Sequence, residues 1–128
     1  MRLLAFNEEH QPRIGALSDA GVVNLSRIDA AAPTDLGAVV KARKLADIAS
    51  ILARANGTVH HKLDALDLQL PVATPGKILC LGLNYMDHIA EGPFKKQPFP
   101  AIFMRSPTSL VPANKPILAP RMSNSMDY

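Results

Sequence analysis

His88 and Glu91 stand three residues apart in the segment Gly82-Leu83-Asn84-Tyr85-Met86-Asp87-His88-Ile89-Ala90-Glu91. On one helical turn, residues at that spacing share a face and reach each other. A carboxylate beside an imidazole orients the ring and raises its basicity, which suits a general base acting on water. Taken alone, such a pair is more often a solvated contact on a helix surface. Its position gives it weight: it follows a short aliphatic run and a glycine, so an acid–base pair would sit at the mouth of a sheet. Asp87 reads as the cap of the short helix.

The other groups able to do chemistry read as structural. Cys80 lies within an apolar run, with no neighbour that would favour a thiolate, and reads as an inert core thiol. His60 and His61 are adjacent, and neighbours on a strand point to opposite faces and chelate poorly. They and His10 are expected to be exposed, and Glu8-Glu9 to form a solvated turn.

The elements that must position the pair are legible in outline. Lys77-Ile78-Leu79-Cys80-Leu81 is brief, aliphatic and bounded by Pro75-Gly76 and Gly82, so it reads as a buried strand. Upstream, Leu3 to Phe6, Arg13 to Leu17 and Val22 to Leu25 read as three strands of a β-meander, with turn residues between them. Thr34 or Asp35 can cap a helix over about Leu36 to Ala55, which Gly37 weakens and could split in two; Leu45, Ile48 and Leu52 would form its buried stripe. Asn56-Gly57 ends it. Leu66, Leu68 and Leu70 alternate with polar residues as in a half-buried strand. After Glu91, prolines at 93, 98, 100, 107, 112, 116 and 120 exclude regular helix from most of the chain. Short strands are expected at Ala101–Met104, Ser109–Val111 and Ile117–Leu118.

Gly-x-Asn-Tyr-x-Asp-His-x-x-Glu after such a strand resembles the opening of the catalytic domain in the fumarylacetoacetate hydrolase family. Pro98-x-Pro100-x-Ile102-Phe103-Met104-Arg105-Ser106-Pro107-Thr108-Ser109-Leu110 is similar to the family's proline-rich segment, Pro116-Ile117-x-x-Pro120 to the turn and strand that follow, and Asp127-Tyr128 to the Asp-Tyr before its Glu-x-Glu pair. The resemblance runs from Lys77 to Tyr128 in one order, and residues 1 to 76 resemble the small N-terminal domain of many bacterial members. It implies an α+β chain: a meander-plus-helix domain over residues 1–70, a linker at 71–76, and over 77–128 the truncated start of a mostly-β catalytic domain. His88 and Glu91 are implied as the acid–base dyad. Asn84 and Tyr85 either shape the pocket or are a turn residue and a packing aromatic. Arg105 stands where the family usually has Lys, and the two differ in shape. It either grips a substrate carboxylate bidentately or lies on the surface.

The resemblance also implies Mg²⁺ or Mn²⁺, held by the Glu-x-Glu pair and a later Asp. The chain ends at Tyr128, where the first of those glutamates would come next, so no metal ligand is carried over. Bound metal would polarise the oxo-acid carbonyl and stabilise the departing enolate.

Composition narrows the rest. The 128 residues carry a net charge of +3, with basic residues scattered rather than in a tract, so no nucleic-acid partner is expected. One cysteine cannot form an internal disulfide, and no leader-like or membrane-length apolar run is present. Cytoplasmic location and no membrane partner are the expectations. Two functions compete. The first is part of a homodimeric, metal-dependent enzyme cleaving, decarboxylating or isomerising small oxo acids. The alternative is an inactive fragment serving as a folding or interaction domain. Divalent-metal titration separates them.

Overall fold

The structure is a computed structural model and describes residues 1–93, 95 and 98–124. It divides into two compact units, Met1–Ala73 together with the chain from Val111 onward, and Thr74–Leu110.

The first unit is built on a four-stranded sheet of order β3-β2-β1-β4. Its strands are β1 (Arg2–Glu8), β2 (Gln11–Ser18), β3 (Gly21–Asn24) and β4 (Asp67–Gln69), all antiparallel to their neighbours. The β1–β2 register pairs Glu8 with Gln11, which leaves Glu9-His10 as a two-residue loop, both at positive φ. That is the primed turn matching strand twist, formed here without glycine or asparagine. The expected meander is therefore present, with β1 and β2 longer than expected and β3 shifted back by one residue, because Leu25 opens α1. Glu8 closes β1 and is not part of a solvated turn.

One sheet face carries the helices. Asn24 caps α1 (Leu25–Ile28), its side-chain oxygen accepting from the Ser26 amide at 2.9 Å. Asp35 caps α2 (Leu36–Lys41) through the Ala38 amide at 3.0 Å. The anticipated long helix is two, α2 and α3 (Leu45–Ala53). The break falls at Ala42–Lys44, where Arg43 takes φ +57°, and not at Gly37. Ile14, Leu25, Ala32, Leu36, Val39, Ile48 and Ile51 form the core between sheet and helices. The buried stripe of α3 is thus Ile48 and Ile51, with Leu52 partly buried beside them; Leu45 is 43% exposed. Leu45 opens the helix, and Ile51 instead completes the i, i+3 ridge from Ile48 toward the sheet.

The returning chain pairs along the outer edge of β3. Val22 of β3 bridges His61: the Val22 amide donates to the His61 carbonyl at 2.9 Å, and the His60 and His61 amides donate to the Val22 carbonyl. Gly21 has φ +142°, and a Cβ there would meet the His61 carbonyl oxygen and Val59 Cγ1, each at 2.7 Å. Both the backbone angle and the close approach require glycine.

The second unit is a two-stranded antiparallel sheet, β5 (Ile78–Gly82) with β6 (Ala101–Arg105), and a short helix α4 (Met86–Ala90). The β5 strand appears where the aliphatic run places it. It is not fully buried: Leu79, Leu81, Ile102 and Met104, which share a face by register, are all exposed. Cys80 is accordingly half-buried and not a core thiol. Beyond β6 the chain departs from expectation. Pro107–Ser109 is one 3₁₀ turn capped by Ser106, and neither 109–111 nor 117–118 is a strand. Proline withholds the amide a ladder needs. In the first unit Lys115 Nζ donates to the Asp67 carboxylate at 2.7 Å.

Candidate functional site

Within the second unit the candidate site forms where β5 ends. Gly82 is the last strand residue, and the turn is made by Leu83 at φ +51°. Leucine pays for a left-handed backbone that glycine would adopt freely, and such strain collects at functional turns. The turn delivers Asn84, then Tyr85 at the N-cap of α4. Tyr85 is 72% exposed, and its carbonyl accepts from the Ile89 amide at 3.1 Å. Its side chain makes no capping bond. Asp87, expected as the cap, is instead a first-turn residue of α4, and its carbonyl accepts from the Glu91 amide at 3.1 Å.

His88 lies in the middle of α4, and Glu91 is the residue that ends it, still in right-handed helical conformation. The backbone thus puts both on one helical turn, at the spacing that places side chains on a common face. The His88 side chain lies outside the described part of the structure, as do residues 125–128 with the Asp127-Tyr128 of the sequence reading.

An open cavity of about 420 Å³ adjoins this turn, lined among others by Leu81, Leu83, Asn84, Met86, Ile89 and Phe99. Among its described lining residues Asn84 is the single polar side chain, so its amide would orient a bound polar group. Tyr85 and Arg105 are not lining residues. Arg105 pairs with Ile78, whereas Gly82 at the turn pairs with Ala101. Four residues of strand, about 13 Å, separate the Arg105 backbone from the turn-proximal end of β6.

Among the described residues no three His, Cys, Asp or Glu side chains come together in a group that could hold a metal ion.

The first unit holds a polar cluster that sequence reasoning missed. The Glu8 carboxylate accepts from Arg27 at 2.7 Å and from the Asn24 amide group at 2.9 Å. Its Oε1 lies 2.9 Å from His61 Nε2, and Oε2 lies 3.9 Å from Arg13 Nε. The His61 contact is close but poorly aligned, so Nε2 stays a buried nitrogen without a directed hydrogen bond. His60 Nδ1 accepts from the Asn24 backbone amide at 2.9 Å. Burial, then the nearby charges of Arg27 and His61, hold the His60 pKa below its ordinary value, with Glu8 acting the other way. Both histidines are half-buried and bonded rather than free on the surface. Strand alternation places Glu8 and Arg13 on one sheet face, a signal available beforehand; their meeting with His60-His61 depends on a 36-residue excursion between Asn24 and His60.

No helix among the described residues is long and apolar enough to cross a membrane. Residues 77–128 match the family model described as fumarylacetoacetate (FAA) hydrolase C-terminal. A mitochondrial oxaloacetate tautomerase of Xenopus laevis is 30% identical over all of this chain and 41% of its own length, and one of Rattus norvegicus is 30% identical over all of this chain and 42% of its own. A fumarylacetoacetate hydrolase domain-containing protein 2 homolog of Dictyostelium discoideum is 25% identical over 94% of this chain and 40% of its own. The chain thus spans about 40% of the length of these relatives. A crystal structure of a candidate HpcE protein from Mycobacterium smegmatis superposes with a TM-score of 0.57 at 20% identity, covering 84% of this chain and 37% of the other, which shows a shared fold. The strand–turn–helix of the second unit lies within residues 77–128, the segment that matches the fumarylacetoacetate hydrolase family model, and nearly the whole chain is similar to about 40% of the length of relatives that include a protein named for that domain.

Proposed function

We propose that this chain supplies the acid–base part of a family enzyme acting on small oxo acids, with keto–enol isomerisation as the reaction. What supports the reading is that His88 and Glu91 fall on the single turn of α4, the helix whose Met86 and Ile89 line the cavity together with Asn84. Two relatives are oxaloacetate tautomerases, which favours isomerisation over carbon–carbon hydrolysis or decarboxylation. His88 takes the proton from the carbon next to the carbonyl and the carbonyl oxygen gains one, so the change is a proton shift with no net loss. Glu91 orients the imidazole and stabilises its charged form. Asn84 donates to the oxygen on which negative charge develops. Arg105, at the far end of β6, fits the surface reading better than a grip on the same small substrate.

A chimera tests this. Residues 1–128 replace the matching segment of the Xenopus tautomerase, and enol–keto interconversion of oxaloacetate is followed by the enol's ultraviolet absorbance. His88→Ala should lower kcat by roughly 10²–10⁴, the usual contribution of a positioned acid or base. Glu91→Ala should act on the same step, and the double variant should fall well short of additive. An active chimera whose kcat is unchanged by His88→Ala would end the dyad assignment. The 128-residue chain alone is expected to show no Mg²⁺-stimulated, EDTA-sensitive turnover of oxaloacetate.

A further inference from the structure

We propose that the His60-His61 segment is an acid-released clip on β3, opened when the His60 imidazole takes a proton. The hydrogen bond from the Asn24 backbone amide to His60 Nδ1, 2.9 Å long, has the amide as its donor. Nδ1 must therefore be unprotonated and the neutral ring carries its hydrogen on Nε2. Protonation puts a second N–H on Nδ1, facing the Asn24 N–H across that distance. Two donors cannot bond, and Asn24 is a fully buried residue whose amide would be left unpaired.

The groups around the ring oppose the charge. Arg27 of α1 and the adjacent His61 disfavour another cation, and burial adds to this. Glu8 of β1 is the one neighbour that favours it, and its carboxylate is already engaged by Arg27 and the Asn24 side chain and faces His61 and Arg13 of β2. The rest of the clip is three backbone hydrogen bonds to Val22, all within one residue of His60. His61 meets Val22 only through its backbone and turns its ring nitrogen Nε2 to Glu8, so its side chain takes no part in the bond to Asn24. The two histidines can thus be told apart.

The sign follows from linkage. A ring held more acidic when clipped than when free leaves the clip fully closed above about pH 6.5, and it loosens as pH falls below that value. If the closed form accepted no proton, the closed population would be about tenfold lower relative to open at pH 5.5 than at neutral pH.

Amide hydrogen exchange on the full chain, corrected for the intrinsic pH dependence of exchange, reads this at Val22 and Asn24. Protection of both should drop by up to about tenfold between pH 7.5 and 5.5. His60→Asn keeps a short side-chain acceptor that does not titrate, and its protection should be level across the range. His61→Gln should retain the drop. Should His60→Asn fail to fold, NMR of the unaltered chain decides: the Asn24 amide resonance must shift in the same step as the His60 ring. Protection independent of pH in the unaltered chain, an equal drop in His60→Asn, or an Asn24 resonance indifferent to the His60 titration would overturn the proposal.

Discussion

Replacing Asn24 tests the polar cluster at its centre. Asn24 is fully buried, and its side chain makes two bonds at once: Oδ1 accepts from the Ser26 amide, capping α1, and Nδ2 donates to Glu8. Asn24→Ala loses a cap, typically about 1 kcal/mol, and a hydrogen bond to a charged acceptor, about 1.5–3 kcal/mol. A cost of about 2.5–4 kcal/mol is therefore expected, a large part of the 5–15 kcal/mol by which domains are ordinarily stable. Urea unfolding followed by far-ultraviolet circular dichroism measures it. Asn24→Asp separates the two bonds. It keeps the cap but sets a second carboxylate against Glu8 where a donor stood 2.9 Å away. Like charges raise the pKa of one of them in the folded state, so this variant should be weak at pH 7 and recover as pH falls and a proton is shared. In a double-mutant cycle, Glu8→Gln should couple strongly to Asn24→Ala. An Asn24→Ala cost under about 0.5 kcal/mol, the range of an ordinary surface change, would refute the reasoning, as would an Asn24→Asp variant as stable as the parent at pH 7.

Two further tests address the fold. Ile48→Ala should cost about 2–5 kcal/mol and Leu45→Ala under about 1 kcal/mol by thermal or urea unfolding, because only Ile48 lies in the core; the reverse order would restore the stripe expected from spacing. Gly21→Ala, strained at φ +142° and blocked by the His61 carbonyl, should destabilise by more than about 1 kcal/mol. Gly76→Ala, which meets no atom within 4 Å, should be neutral or stabilising in the same assay.

The sequence by itself determined what short-range pattern can carry. Aliphatic alternation and turn residues placed β1, β2, β3 and β5, and Asp35 and Asn56-Gly57 bounded the helical stretch, because caps, turns and two-fold periodicity are local properties. The order Gly82 to Glu91 put the candidate acid–base pair on one turn for the same reason. Tertiary structure decided the rest. Ile51 rather than Leu45 faces the sheet because the helix breaks at Arg43, which resets where α3 begins and how it lies on Ile14 and Leu25. Glu8, read as solvated, is engaged because β1 runs on to meet Arg27 and Asn24 from α1 and β3. His60 became an acceptor and not a surface ring because the chain returns over Val22, a contact between residues distant in sequence that no local pattern encodes.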